Sequence, residues 1–192
     1  LPDSRRVVTS GHDHTIKVWD ATNGRELAAV RSNRGRIKSV AVSPDGQLMA
    51  TANQDGTASV WSFQSSGSSS QAQRLAENSI STNVPLSTIR EIMALEGHGD
   101  ALLSIEFSSD GKRIATASAD GTARVWETAT GRLLHVLKGH GDYVRSVAFS
   151  PDGTRIVTAS DAATVKVWET SNGQLLLTLR GLNDWVLSAR FS

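Results

Sequence analysis

Apolar and polar positions alternate along most of this chain, as in Val144-Arg145-Ser146-Val147-Ala148-Phe149. A period of two is the signature of a strand with one buried face. The runs are short and turn chemistry bounds them. Residues 43–46 and 150–153 both read Ser-Pro-Asp-Gly, in which the glycine tolerates the positive φ of a tight hairpin. Asn23-Gly24, Thr130-Gly131 and Asn172-Gly173 close a second set of hairpins. The pattern predicts antiparallel strands throughout, and a helical period competes only at residues 71–77.

The pattern also recurs. Val-Trp pairs end at Trp19, Trp61, Trp126 and Trp168, with spacings of 42, 65 and 42. The turn aspartates Asp3, Asp45, Asp110 and Asp152 keep the same spacings. The long step exceeds the period by 23 residues, so one repeat carries an insertion. Residues 64–88, rich in Ser, Gln and Asn, are its location. They read as a tolerated surface loop, with a docking or regulatory segment as the alternative. Four short strands in each 42-residue repeat match one propeller blade.

These residues resemble the WD40 family. The marks are Gly97-His98 and Gly139-His140 before a strand, the Ser-x-Asp-Gly turns, the terminal tryptophans and the literal Trp19-Asp20. The resemblance covers all but about residues 64–88 and implies an all-β propeller segment of four blade equivalents, each of four antiparallel strands. The blades fall at 1–30 (partial), 31–96, 97–138 and 139–180, with 181–192 as the first strand of a further blade. Residues 186–192 followed by 1–19 mimic one continuous repeat, so three blades are whole and one is split between the termini. An open arc exposes strand edges and apolar faces. A homodimer closing an eight-bladed ring, with residues 185–191 of one chain against 5–9 of the other, is therefore expected. The alternative is a piece cut from a longer propeller, which agrees with Leu1 in place of Met.

The resemblance also implies a buried hydrogen-bonded tetrad in each blade, formed by a His, a strand Ser/Thr, a turn Asp and the Trp. His98, Thr116, Asp120 and Trp126 make a full set, which casts the histidine as structural rather than catalytic. The next repeat has His140 and Thr158 but Ala162 at the Asp position. The repeat ending at Trp61 has Thr51 and Asp55 but Asn33 in place of His, and the first has Thr9, Asp13 and Trp19.

Composition narrows the function. The 192 residues are 39% hydrophobic, with 20 basic and 19 acidic side chains, which gives no strongly basic arm for nucleic acid. No apolar run of ~18 residues predicts a membrane span. Zero Cys excludes disulfides and thiolate chemistry. With no signal peptide seen, a cytoplasmic location is expected. Catalytic signatures fail: no Gly-x-Ser-x-Gly elbow occurs, and Gly111-Lys112 runs into Arg113 rather than forming a phosphate loop. His12 and His14 lie two apart but lack further ligands, and His135 is isolated, so neither a metal nor a cofactor is expected. Arg31, Arg34, Arg36 and Lys38 are the basic cluster, a solvated rim or a seat for an acidic ligand.

A comparison among the repeats separates core from surface. Positions 39, 104, 146 and 188 are all Ser, and 37, 102, 144 and 186 are all aliphatic. Two apolar positions three apart on one strand need a bulge to share a face. Positions 36, 101, 143 and 185 are Arg, Ala, Tyr and Trp; 38, 103, 145 and 187 are Lys, Leu, Arg and Leu. Such variation over a shared core places these side chains outside it. The resemblance implies that they point to the face bearing the Gly-His loops, together with the residue before each turn Asp. The expected partner-binding residues are Arg36, Lys38, Gln54, Leu103, Tyr143, Arg145, Asp161, Trp185, Leu187 and His12, since Tyr, Trp and Arg lead the hot-spot types. The expected function is a non-enzymatic scaffold for a protein or peptide. The alternatives are a sensor or autoinhibitory module of a multidomain signalling protein, and an enzyme with a site in the propeller channel.

Overall fold

The computed structural model describes residues 5–65 and 86–192. The turn aspartate Asp3, most of the Ser-rich insertion and the possible helical stretch at 71–77 lie outside the described residues. Fifteen strands are described, and no helix long and apolar enough to cross a membrane occurs among them. The first sheet holds β1 (Arg6–Ser10), β2 (Thr15–Asp20) and β3 (Glu26–Arg31). The second holds β4 (Ile37–Val42), β5 (Leu48–Asn53), β6 (Ala58–Ser65) and β7 (Leu86–Leu95). The third holds β8 (Leu102–Phe107), β9 (Arg113–Ser118), β10 (Ala123–Glu127) and β11 (Leu133–Leu137). The fourth holds β12 (Val144–Phe149), β13 (Arg155–Ser160), β14 (Thr164–Glu169) and β15 (Leu175–Leu179). Each sheet is an antiparallel meander in chain order, the form of a propeller blade.

The turns follow from their side chains. Ser43 donates to Asp45 at 2.6 Å, Asp45 accepts the Gln47 amide at 3.0 Å, and Gly46 takes φ 70°. Ser108 with Asp110 and Ser150 with Asp152 repeat this turn. Register shifts fall between Ile37 and Ser39, Leu102 and Ser104, and Val144 and Ser146. These bulges let the aliphatic pairs of each inner strand turn inward together. The outer hairpin of the second blade is longer than the repeat predicts. β6 runs to Ser65 and β7 starts at Leu86, so both flanks of the insertion extend the ladder.

The core lies between blades. Trp126 packs with Ala50, Ala52, Ala58 and Val60 of the preceding blade. Trp168 does the same on Ala115, Ala117, Ala123 and Val125, and Trp61 on Ile16 and Val18. Small residues on one face make room for the indole of the next, which is how a layered core reaches close packing. Burying such a ring contributes about 5 kcal/mol of transfer free energy before entropy is charged against it.

Residues 181–192, where the repeat expects another strand, form no ladder. A strand is defined by its pairing, and the third and fourth sheets beside this segment already have their four members. The segment is nonetheless docked. Val186 donates its amide to the Ser160 carbonyl at 3.1 Å, and Arg190 reaches Glu106 at 2.8 Å. Val186, Ala189 and Phe191 pack against Ala148, Val157, Ala159 and Val165.

Candidate functional site: the hydrogen-bonded blade cores and the Gly-His face

In the third blade, β9 and β10 bring Thr116 beneath Trp126, and the loop before β8 drops His98 between Thr116 and the turn at Asp120. Trp126 Nε1 donates to Thr116 Oγ1 at 2.9 Å. Thr116 Oγ1 lies 2.8 Å from His98 Nε2, and His98 Nδ1 lies 2.8 Å from Asp120 Oδ2. One order of donors satisfies every group: indole to hydroxyl, hydroxyl to Nε2, Nδ1–H to carboxylate. Asp120 also accepts from the Gly99 amide and from Thr122. Burial raises its pKa, but the bonds from Thr122, Gly99 and His98 outweigh this and hold it down to about 2. Burial likewise lowers the His98 pKa despite the neighbouring carboxylate.

The fourth blade builds the chain differently. Trp168 donates to Thr158 at 2.8 Å, and His140 Nε2 lies 2.6 Å from that hydroxyl. With Ala162 at the Asp position, His140 Nδ1 turns to Thr164 Oγ1 at 2.9 Å. A neutral hydroxyl thus replaces the carboxylate. The equivalent Thr122 already stands 3.3 Å from His98, which is the signal sequence reading missed. In the second blade Thr51 accepts from Trp61 at 3.1 Å and Asp55 binds only Thr57 among its described hydrogen bonds, while Asn33 is exposed. In the first, Thr9 accepts from Trp19 at 2.8 Å and Asp13 from Thr15.

Asp120→Ala leaves three buried or half-buried donors without their acceptor. A loss of about 1.5–3 kcal/mol is expected, the scale of hydrogen bonds to a charged group. Denaturant melts check it, and an unchanged curve would refute the assignment.

On the loop face, the same backbone bond recurs: Gln54, Ala119 and Asp161 donate their amides to Arg36, Ala101 and Tyr143. The expected surface positions therefore sit in register on successive blades. In the fourth blade they converge. Arg145 grips Asp161 with Nε at 2.8 and 3.0 Å and Nη2 at 2.6 Å. Its guanidinium lies 5.5 Å from the Tyr143 ring and 5.8 Å from that of Trp185. The bond to Asp161 raises the Arg145 pKa further, so this cation never switches off. Tyr143 is 44% exposed and Trp185 63%. Beside Tyr143 a cavity of about 310 Å³ is lined by Ala119, Asp120, Gly121, Gly141 and Asp142.

The other expected residues stand apart from this cluster. Arg36, Lys38, Gln54 and His12 are exposed, Leu187 is exposed and Leu103 half-buried. Among the described residues no hydrogen bond or ring contact joins any of them to Arg145. Arg34, from the basic run, is held by Glu91 at 3.0 Å. His14 takes φ 70° within its turn, so strand alternation does not put it on the His12 face. Among the described residues no group of three potential metal ligands gathers.

Comparison with known proteins agrees with this repeating blade of Gly-His, turn Asp and Trp. The family model described as "Nucleolar protein 10-like, N-terminal domain", a β-propeller, matches residues 2–189. The chain belongs to this WD40 β-propeller family. The target of rapamycin complex subunit wat1 of Schizosaccharomyces pombe is 31% identical over 63% of the chain and 32% of its own length. The LST8 homolog of Drosophila melanogaster is 28% identical over 66% of the chain and 36% of its own length. The apoptotic protease-activating factor 1 of Rattus norvegicus is 30% identical over 70% of the chain but only 9% of its own length. The matches thus span about a third or less of these relatives.

Proposed function

We propose that this propeller segment is a non-enzymatic protein-binding scaffold whose partner docks on the Gly-His face, at Tyr143, Arg145, Asp161 and Trp185. The observation that carries the reading is the Arg145 guanidinium, fixed by Asp161 between two exposed aromatic rings. Anchoring of this kind removes side-chain entropy before a partner arrives, and Tyr, Trp and Arg are the residue types that dominate binding energy. That the relative wat1 is by name a subunit of a complex supports a scaffold role. A second copy of the chain is a further partner, closing a ring of eight blades.

The test places a photo-crosslinking residue at Tyr143 or at Asn172, on the opposite turns. Label on a bound protein is expected from the first and not the second. Trp185→Ala should weaken that complex about tenfold or more without changing the melting curve. Equal labelling from both positions would overturn the reading. A second reading, a module within a longer signalling chain, draws on the match to only 9% of apoptotic protease-activating factor 1.

A further inference from the structure

On the face opposite the Gly-His loops, the turns of the second and third blades stand side by side, and a groove of about 630 Å³ lies between them. The Thr128 amide donates to the Lys112 carbonyl at 2.9 Å, which ties the two turns of the third blade together beneath it. Both blades have all four strands, so the groove is an internal junction and neither terminus borders it. Its two ends are closed by glycines. Where the inner turns meet, Gly111 takes φ 69°, and a Cβ there would stand 3.5 Å from Pro44 Cδ. At the outer end Gly131 approaches the Met93 thioether so closely that a Cβ has no room.

The groove is apolar because this junction departs from the repeat. Leu48 replaces the arginine of the other three repeats, Arg6, Arg113 and Arg155. Met93 stands where the next repeat has His135, which lies against Gly173 as Met93 lies against Gly131. Pro44, Ile92 and Ala129 complete the walls, and Ile92 is 49% exposed. Ligand sites have this character, with volumes of roughly 300–1,000 Å³ and mostly apolar walls carrying a few polar groups.

The rim is acidic. Asp45 stands on one wall, Asp110 and Glu127 on the other. Bonds from Ser43, Ser108 and Thr130 hold the three carboxyls below their usual range, so all are ionised at neutral pH. Against them stand Lys112 and, paired with Glu127 at 3.4 Å, Arg132. Asp45 and Asp110 have no ion pair among the described residues. Each uses its Oδ1 within its own turn, which leaves Oδ2 for an incoming cation.

We propose that this groove binds an extended peptide of a partner protein, in which an apolar side chain is flanked by lysine or arginine. Side chains alternate along an extended chain, so one drops between Leu48, Ile92 and Met93 while its neighbours stay at the rim. There the carboxylates on opposite walls meet cations on either side of the anchor. The site is separate from the Tyr143 and Trp185 cluster and does not depend on it.

The probe is a phage-displayed library of random heptapeptides, selected on the wild-type chain. Enriched sequences are expected to place an apolar residue beside Lys or Arg, and their binding to weaken with added salt. Leu48→Arg, which installs the residue of the other repeats, is expected to lower their affinity about tenfold or more without moving the melting curve. Ile92→Lys gives the same readout if Leu48→Arg does not fold. Failure to enrich any peptide, enrichment of acidic ones, or affinity indifferent to both variants overturns the proposal. Selected peptides that depend on Trp185 rather than Leu48 belong to the Gly-His face and also overturn it. Uptake of benzylamine without any selected peptide assigns the groove to a small molecule. Peptide binding only after residues 66–85 are excised, or a dimer that Leu48→Arg dissociates, fills the groove with the chain's own residues. Each of these last outcomes overturns the partner peptide.

Discussion

Lowering the pH from above 6.5 towards 4 will destabilise this protein through His140. Burial, with the Lys166 ammonium nearby, pushes the pKa of that ring from 6.5 down to about 4. Protonation would put a charge beside two hydroxyls and a lysine, with no carboxylate to balance it. In the unfolded chain the same ring accepts a proton near its ordinary value. Between the two values the unfolded state binds more protons, so stability rises with pH across that window. The contribution is complete above 6.5 and disappears as pH falls through about 4. At about 1.4 kcal/mol per unit, the loss is on the order of a few kcal/mol. His98 shifts in the same direction and adds to the slope. Asp152, held to about 2 by Ser150 and Thr154, and Asp120 act lower, below the ordinary 3.8 of a carboxyl. Urea midpoints across the window will fall less steeply in His140→Gln, whose amide does not titrate. Equal slopes in variant and wild type would sink the assignment.

Leu137→Ala will cost about 2–5 kcal/mol, the range for a leucine whose cavity cannot collapse. Leu137 packs with Trp168 and Val125 between two blades, each held by a full ladder, so neither can close the gap. Leu133 lies on the same strand but is 37% exposed. Its truncation is expected to cost less than about 1 kcal/mol. Chemical melts of the two variants decide the matter, and similar losses would mean that the stabilising layer does not lie between blades.

The strands, the hairpins and the bulges were legible because each depends on neighbours a few residues apart. The Gly-His face was legible as a set of positions, since four repeats share one core and differ where side chains leave it. What was not legible depends on reach through space. Arg145 and Asp161 were both singled out, yet nothing in a spacing of 16 says that one grips the other. Arg190 and Glu106 are 84 residues apart and carry no local signal at all. Thr164 replaces the missing carboxylate only because His140 can swing its Nδ1 to a hydroxyl one turn position away. The lack of a ladder at 181–192 follows from what lies beside the segment, which no repeat pattern encodes.

The seating of each tryptophan on the blade before it gives the chain a direction. Trp61 needs the first blade, Trp126 the second and Trp168 the third, and none needs a blade that follows. Synthesis supplies them in that order. The second, third and fourth blades leaving the ribosome therefore each find the face that buries their indole already made, and these three rings are not left waiting for sequence still to come. Reversing the seating, with every tryptophan turned towards the later blade, would keep the same fold and composition but hold each ring in water until the next repeat, 42 or 65 residues further on, had been made.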